Sequence, residues 1–520
     1  MKNQPEEPFA IPEPLVRAEG ASLRAPSMEH GTLVPLQPIE RRPLSIMKFG
    51  GTSVGDAECI RRVVQIIQDG SAASDVVVVV SAMSGVTNKL IEAANLAAAG
   101  DPDGATTLLQ VLRRQHEVAV EVLIPNPVAR DYVAQTMSEL FDECQRGCES
   151  TALLGKLMPR MQDFISSMGE RLAAPLVAAA LAAHGVESEA IVATELVVTD
   201  SYHGAAEPNM EVTRKRCRAR LRPLLAKNVI PIVTGFIGAT EGGVLTTLGR
   251  GGSDYSATIL AAALNADEVT IWTDVDGMFT ADPHLVPGAT TIPEISYREA
   301  AELAYFGARV LHPKTLRPVM QCGIPVWIRN SFAPERAGTK ITPDGHAIDC
   351  GVKALTAVND AALITFVRPG ADSIPEVISR TVATTAAVRA EALLISCSPS
   401  RDRICVVVAA AFAQRTAAAL RREFAPNLGH AENVTVDFTV AVLTVVGQNL
   451  FELTAIVGRA LENLSRKNVT IIATGQGASE CNVSFVVPRK DITLALLTTH
   501  REIQPVVSRP AAAQRVAAQI

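Results

Sequence analysis

The sequence predicts an α/β fold, a three-layer αβα sandwich, over residues 44–345. Continuous apolar runs of strand length, such as residues 75–81 (DVVVVVS), are typical of parallel strands covered on both faces. Alanine-rich or amphipathic stretches of helix length separate these runs. The chain is also poor in aromatic residues, at 4 %, which is typical of proteins built from helices and parallel strands.

The elements alternate in order along the chain. The predicted strands are residues 45–49, 75–81, 229–235 and 268–273, and the predicted helices are residues 56–68, 88–99, 108–123, 164–184, 256–264 and 297–304. The long apolar strands end in Ser, Gly, Thr or Asp, the residues found where an open parallel sheet binds ligands at its carboxyl edge. We therefore expect functional residues at that edge.

Bulk properties exclude several classes of protein. A chain of 520 residues is too long for one core and suggests two to four domains. The net charge of −6 offers no footprint for nucleic acid, and we expect no membrane span. The nine cysteines contain no C-x-x-C pair, so we interpret them as reduced thiols of a cytoplasmic protein and expect no metal site. Residues 1–43 are proline-rich and are predicted to be a disordered extension.

A lysine and two glycines follow the first strand, in MKFGGTSVGD at residues 47–56. Glycines let the backbone approach a phosphate closely, and Lys48 adds a positive charge beside Gly50 and Gly51. A tight turn without a ligand is the alternative at this point. The segment is not a Walker A loop, because the Gly-Lys step at residues 155–156 lacks that motif's first glycine and is followed by leucine.

Three further polar segments can carry chemistry. In residues 246–255 (TTLGRGGSDY), Arg250 could bind a carboxylate or phosphate. The alternative is a loop that is merely held by a salt bridge. Residues 273–283 (TDVDGMFTADP) could wrap a nucleotide or form an acidic turn. Glu170, at the start of a predicted helix, could bind an ammonium group or complement the helix dipole.

The last third of the chain contains an internal repeat. Residues 363–367 (LITFV) match residues 442–446 (VLTVV), and residues 400–404 align with residues 479–483 at the same offset. Each match leads into a valine-rich segment. Two βαββ-type units of this size predict a paired regulatory module, with a purely structural repeat as the alternative.

Seven motifs in this order make the chain resemble aspartate kinase of the amino-acid kinase superfamily. They are KFGGTSV (48–54), SAMSGVTN (81–88), GER (169–171), GFIGAT (235–240), LGRGGSDY (248–255), WTDVDGMFTADP (272–283) and FGARVLHPKTL (306–316). The last third resembles the tandem ACT domains of that family. The expected domains are a catalytic domain (44–345), two ACT-like βαββαβ units (346–430 and 431–510) and the N-terminal extension.

The resemblance implies that ATP with Mg²⁺ phosphorylates the side-chain carboxylate of L-aspartate, the first step towards lysine, threonine and methionine. It implies three groups of residues. The catalytic residues are Lys48, Arg250 and Asp254; aspartate binds to Ser81, Thr87, Glu170, Arg250 and Ser253; the nucleotide binds to Lys48, Gly50, Gly51, Ser53, Thr273, Asp274, Phe279, His284 and Arg309. His284 and Arg309 depart from the family, which often has arginine and lysine there, so a modest effect on ATP affinity is expected.

The resemblance also implies feedback by lysine, threonine or both. Gln476, Asn449 and Asn482 are the implied effector-binding residues, and Cys397 replaces the glutamine in the first unit, so one effector site is expected to be altered. A homodimer or homotetramer formed through the ACT domains is expected. Other amino-acid kinases are less consistent with the motif pair and double ACT tail, and a catalytically impaired amino-acid sensor is the alternative function.

Overall fold

The computed structural model of the chain describes residues 42–308, 310–345, 351–367, 373–398, 403–428, 434–448, 454–476 and 480–507. The expected disordered extension therefore lies almost entirely outside the described residues. The first part contains β1 (Leu44–Phe49), α1 (Ala57–Ala73), β2 (Asp75–Val80), α2 (Val86–Ala98), α3 (Pro102–Leu123), α4 (Pro127–Leu154), α5 (Pro159–Ser166), α6 (Met168–Ala183), β3 (Ser188–Ile191), β4 (Val198–Thr199), α7 (Met210–Leu225), β5 (Ile230–Thr234), β6 (Ile237–Thr240), β7 (Leu245–Thr247), α8 (Gly252–Leu264), β8 (Glu268–Thr273), β9 (Glu294–Ser296), α9 (Tyr297–Tyr305), α10 (Pro313–Met320), β10 (Val326–Asn330) and β11 (Thr339–Thr342).

An eight-stranded sheet forms the middle layer, in the order β3-β5-β2-β1-β8-β10-β11-β9. Alternate residues of β2 point to opposite faces, as the strand geometry requires, and both sets are buried. Val78 packs with α1 to α6, whereas Val77 and Val79 pack on the other side, against the core that contains α8 and α10. The three-layer αβα prediction is confirmed, since helices cover both faces.

Helices α4, α7 and α10 were not among the predicted helices, and one predicted helix is divided in two. The 28-residue helix α4 was not predicted; it begins at Pro127 after the capping side chain of Asn126, and its buried face includes Cys144 and Cys148. The predicted helix 164–184 is instead two helices, α5 and α6, separated at Ser167. Glu170 lies in the first turn of α6, in agreement with its predicted place at the start of a helix.

The last third forms two four-stranded sheets. Its elements are β12 (Gly351–Val358), β13 (Ala361–Val367), α11 (Ile374–Ala387), β14 (Ala392–Ser398), β15 (Arg403–Ala409), α12 (Ala410–Leu428), β16 (Val434–Asp437), β17 (Val440–Gln448), α13 (Thr454–Arg466), β18 (Ala473–Gln476), β19 (Asn482–Pro488) and α14 (Ile492–Val507). One sheet has the order β14-β15-β13-β16 and the other β12-β17-β19-β18.

The two units are interleaved rather than consecutive. Strand β12 pairs with β17, and β16 pairs with β13, so the first unit is inserted between β12 and the rest of the second unit. Strand β12, inside the predicted range 346–430, therefore belongs to the second sheet, and β16, inside the predicted range 431–510, belongs to the first. The sequence repeat marks the matching strands β13 and β17, but it does not reveal which sheet the preceding strand joins.

The inner faces of the two small sheets pack on each other. Leu363 and Val407 of the first sheet form one apolar cluster with Val440, Val442 and Val486 of the second. The other end of the second sheet contacts the large unit, where Val446 and Ala354 join the core that includes α9. Helix α9 therefore lies between the large sheet and the second small sheet.

Candidate active site

A cavity of about 580 Å³ lies at the carboxyl edge of the large sheet. It opens where the neighbouring parallel strands β2, β1 and β8 end. This is the edge at which open α/β sheets bind ligands, and where the sequence placed the functional residues. The predicted residues that line it are Lys48, Gly50, Gly51, Ser81, Thr87, Glu170, Arg250, Ser253, Asp254, Thr273 and Asp274.

Lys48 and Asp254 form an ion pair that lines this cavity. Lys48 lies near the end of β1, and Asp254 lies in the first turn of α8, where the helix dipole favours a negative charge. Their side chains are only 9 % and 13 % exposed. Because little water screens the pair, Lys48 can attract an anion in the cavity strongly.

The glycine turn after β1 packs tightly against its neighbours. A Cβ on Gly51 would lie 3.0 Å from the Ala82 carbonyl oxygen, so a side chain there would crowd the loop after β2. The Gly50 N–H donates to the Trp272 carbonyl at 3.1 Å and is already engaged within the protein. The predicted cradle therefore depends on Gly51 and on Thr52, which also lines the cavity and was not singled out from the sequence.

Ser53 points away from the cavity. Its hydroxyl lies 2.8 Å from the Ser331 hydroxyl and 3.4 Å from the Trp272 carbonyl, and the residue is buried. Ser53 does not line the cavity. In this structure the hydroxyl braces the turn against β8, which differs from the phosphate contact expected of it.

Glu170 is a buried carboxylate at the wall of the cavity. Burial raises its pKa to about 8, although the Ala82 amide, the positive charge of Lys48 and the Ser253 hydroxyl oppose the shift. Among the described residues, its Oε2 has no hydrogen-bond partner. A buried acceptor without a partner is costly, so this oxygen is well suited to receive a cationic ligand.

Arg250 lies on the exposed rim of the cavity, between two glycines in left-handed conformation. The φ angles of Gly249 and Gly251 are 80° and 69°, values that residues with a Cβ rarely adopt. Gly251 is also the N-cap residue of α8, so the turn sets both Arg250 and Ser253 at the mouth of the cavity. Thr87, in the first turn of α2, also lines the cavity.

The predicted nucleotide residues are brought together only in part. Thr273 and Asp274 line the cavity. Phe279 does not; its backbone forms a bridge with Thr291. His284 is exposed outside the cavity, and its backbone N–H donates to the Asp282 carboxylate. Arg309 lies outside the described residues.

Residues 43–330 match the model of the amino acid kinase family, and residues 443–503 match that of an ACT domain. The chain belongs to the amino acid kinase family. It is similar to bifunctional aspartokinase/homoserine dehydrogenase 1 of Arabidopsis thaliana, with 32 % identity over 465 residues, 88 % of this chain and 50 % of that protein. Aspartokinase of Schizosaccharomyces pombe is 29 % identical over 480 residues, which cover 88 % of this chain and 92 % of that protein.

Solved structures of E. coli aspartokinase III share this fold. The structure in complex with aspartate and ADP (R-state) superposes with a TM-score of 0.77 and 28 % identity, covering 89 % of this chain and all of that one. The structure in complex with lysine and aspartate (T-state) superposes with a TM-score of 0.71 and 27 % identity, covering 88 % of this chain and 99 % of that one. The chain spans about half the length of the bifunctional plant relatives it matches.

Several lining residues of this amino acid kinase were missed in the sequence. Phe236 adopts a φ of 69°, unusual for a side chain of its size, and lines the cavity with Val310 and Asn88. All three lie in or beside the quoted motifs GFIGAT, FGARVLHPKTL and SAMSGVTN, so the motif positions were the available signal. Among the described residues, no group of three or more His, Cys, Asp or Glu could hold a metal.

In the part of the chain that the structure describes, one helical stretch is long and apolar enough for a membrane span. It is Pro159–Ala183, which contains α5 and α6, and 78 % of its most apolar window is buried inside the protein. A core helix of a folded domain can be equally long and apolar. Packing of this stretch inside the protein accounts for its apolar composition.

A second cavity, of about 530 Å³, lies where α9, β14, β18 and β19 meet. Gln476 and Asn482, two of the implied effector residues, line it with Glu302 and Tyr305. Asn482 Nδ2 donates to Glu302 Oε2 at 2.6 Å, and the Tyr305 hydroxyl donates to the Ala392 carbonyl at 3.1 Å. Asn449 lies outside the described residues.

Proposed function

We propose that this protein transfers the γ-phosphoryl group of ATP to the side-chain carboxylate of L-aspartate, forming 4-phospho-L-aspartate. The observation that carries the proposal is the shielded Lys48–Asp254 ion pair, which lines one cavity together with the buried Glu170 and the rim residue Arg250. The relatives named aspartokinase support the same reaction.

The amino acid is held by opposite charges at its two α-substituents. Glu170 receives the ammonium group, which supplies the partner that its Oε2 lacks. Arg250 grips the α-carboxylate, for which a guanidinium offers two parallel N–H donors. With both ends held, the side-chain carboxylate extends into the cavity towards Lys48.

The acceptor needs no general base. An aspartate side chain has a pKa near ~3.9, so it is already ionised at neutral pH. The obstacle is repulsion between two anions, the carboxylate and the triphosphate. Lys48 neutralises part of the charge on the transferring group, and close positioning supplies the rest of the rate enhancement.

Asp254 acts as an organiser rather than as a proton acceptor. Its carboxylate holds the ammonium head of Lys48 in the cavity, and its position in the first turn of α8 fixes it beside Arg250 and Ser253. ATP brings Mg²⁺ as part of the substrate, and the metal neutralises phosphate charge. Thr273 and Asp274, at the end of β8, are the described residues that face the nucleotide.

The regulatory third responds to lysine, threonine or both, with Gln476 and Asn482 in the effector cavity. The protein works in the cytoplasm as a homodimer or homotetramer through its ACT units. The reaction is the first step of the pathway towards lysine, threonine and methionine. These statements rest on the family resemblance, and on the match of residues 443–503 to an ACT domain.

The test is ATP-dependent acyl-phosphate formation, trapped as the hydroxamate. L-aspartate, L-glutamate and N-acetyl-L-glutamate are compared, each with and without lysine and threonine. Turnover on L-aspartate alone is expected, with inhibition by at least one of the two amino acids. No turnover with any substrate, combined with amino-acid binding in calorimetry, would instead establish an amino-acid sensor.

A further inference from the structure

A buried carboxylate outside the cavity links the two ends of the amino-acid site. Asp163 lies in α5, its side chain is 3 % exposed, and it does not line the cavity. It accepts hydrogen bonds from three donor groups. These are His203 Nδ1 at 2.6 Å, the Gly204 N–H at 3.0 and 3.2 Å, and the Thr247 hydroxyl at 2.6 Å.

These donors lie on segments that lead directly into the site. Asp163 lies near the end of α5 and Glu170 in the first turn of α6, and the two helices are joined at Ser167. Thr247 is the last residue of β7, immediately before the turn that contains Arg250. The carboxylate of Asp163 therefore connects the segment that carries Glu170 to the segment that carries Arg250.

The loop that contains His203 and Gly204 packs against the turn that contains Arg250. A Cβ on Gly249 would lie 2.9 Å from the Gly204 carbonyl oxygen, so these two backbones are in close contact. The Ala206 N–H donates to the Thr247 carbonyl at 2.9 Å, which ties the same loop to β7. Movement of the loop would thus shift the turn.

We propose that Asp163 is a positioning residue that sets the separation between Glu170 and Arg250, and with it the fit to an α-amino acid. The inference rests on the proposed function of these two residues. A buried carboxylate is stable only while its donors stay in place, so all three segments are held in one arrangement. An amino acid presents its ammonium and α-carboxylate at a fixed spacing, so even a small shift weakens both contacts together.

Asp163→Asn tests this, because the amide keeps the volume but can accept at only one atom. One donor among His203, Gly204 and Thr247 then faces an NH₂ group. We expect the KM for aspartate to rise about tenfold or more while the KM for ATP stays within about twofold. Asp142→Asn, which removes an exposed carboxylate on α4 paired with Arg113, is the matched control and leaves both values unchanged.

A double-mutant cycle separates positioning from general loss of structure. If Asp163 acts through Arg250, adding Asp163→Asn to Arg250→Ala should lower kcat/KM for aspartate far less than the single change does in the unmutated chain. Additive losses, equal increases in both KM values, or unchanged kinetics would each overturn the inference. Absence of aspartate turnover in the unmutated chain would overturn the proposed function and this inference with it.

Thr247→Val keeps the test decisive should Asp163→Asn fail to fold. It removes one donor and leaves the carboxylate with the other two. The expected result is an increase of about threefold in the KM for aspartate with normal ATP dependence and a folded circular-dichroism spectrum. An unchanged KM for aspartate in this folded variant would contradict the role assigned to Asp163.

Discussion

Asn482 and Glu302 join the second small sheet to helix α9 through a hydrogen bond of 2.6 Å. Asn482 is 4 % exposed and Glu302 is half-buried, so the hydrogen bond is partly shielded from water. The contact connects the second cavity with helix α9 of the unit that contains the candidate active site. It is therefore a point at which ligand binding in the two cavities can be coupled.

Replacing Asn482 by aspartate should weaken this connection. Two carboxylates would then face each other at a half-buried site, so we expect a loss of about 2 kcal/mol in the free energy of unfolding, and a changed response to lysine or threonine. Urea unfolding and inhibition curves measure the two effects. Asn463→Asp is the matched control, because Asn463 donates to Glu502 within the second unit at 2.7 Å without contacting α9. Equal effects of the two variants on inhibition would contradict the coupling.

Lys48→Met should lower kcat by at least about a hundredfold. The change removes the positive charge that faces the transferring group and leaves the largely buried Asp254 without its partner. Lys48→Arg keeps the charge but not the compact ammonium head, so it should recover only part of the rate. Steady-state assays at saturating ATP distinguish these outcomes, and near-normal turnover of Lys48→Met would remove Lys48 from the mechanism.

Asp254→Asn should lower kcat substantially without changing the pH at which the rate is half-maximal. An organiser keeps Lys48 in place, whereas a general base would impose its own titration on the rate. The measurement is kcat against pH for the variant and the unmutated protein. A loss of only a few-fold would show that Asp254 is not essential.

Stability in the absence of substrate should fall as the pH rises from about 4.5 to about 8. Over this range the buried Glu170 keeps a proton that the unfolded chain has already lost, because its pKa rises from 4.5 to about 8 on folding. Glu170→Gln cannot lose that proton, so its melting temperature should depend less on pH. The exposed Glu92→Gln serves as the control. Identical slopes in all three proteins would contradict the burial effect.

Arg389→Gly should be more stable than Arg389→Ala by about 1 kcal/mol. Arg389 has a φ of 56° at the end of α11, where glycine is favoured, and its guanidinium lies 4.8 Å from the centre of the Tyr202 ring. Both variants lose the ring contact, but only glycine relieves the backbone. Urea unfolding compares them directly, and equal stabilities would show that the backbone is not strained.

Four of the eight strands of the large sheet, β1, β2, β5 and β8, could be predicted because they are buried on both faces. Strands β2, β5 and β8 were located to within a residue at each end, since continuous valine and isoleucine runs leave little ambiguity. Helix α4 was missed because its apolar positions are interrupted by charged residues. The Asn126-Pro127 cap was the only local signal of its start.

The candidate site was predictable where a motif coincides with the end of a strand. Lys48, Glu170, Arg250 and Asp254 come from three separate motifs, and the parallel sheet brings them to one edge. The phosphate contact of Ser53 stays a prediction, because its hydroxyl meets Ser331 in this structure and a motif does not show which way a hydroxyl points. The placement of β12 could not be predicted either, since its partner β17 lies far along the chain and a strand's apolar pattern does not name its neighbour.

The insertion of one regulatory unit into the other has a mechanical consequence. The inserted unit is tied to the second sheet twice, between Val358 and Ala361 and between Asp437 and Val440. Both connections are very short, and Val358 pairs with Val442 in the second sheet, so the two connections lie side by side. The two sheets also pack on each other through one apolar cluster. A displacement of the inserted unit would therefore be passed to β12 and β17 together.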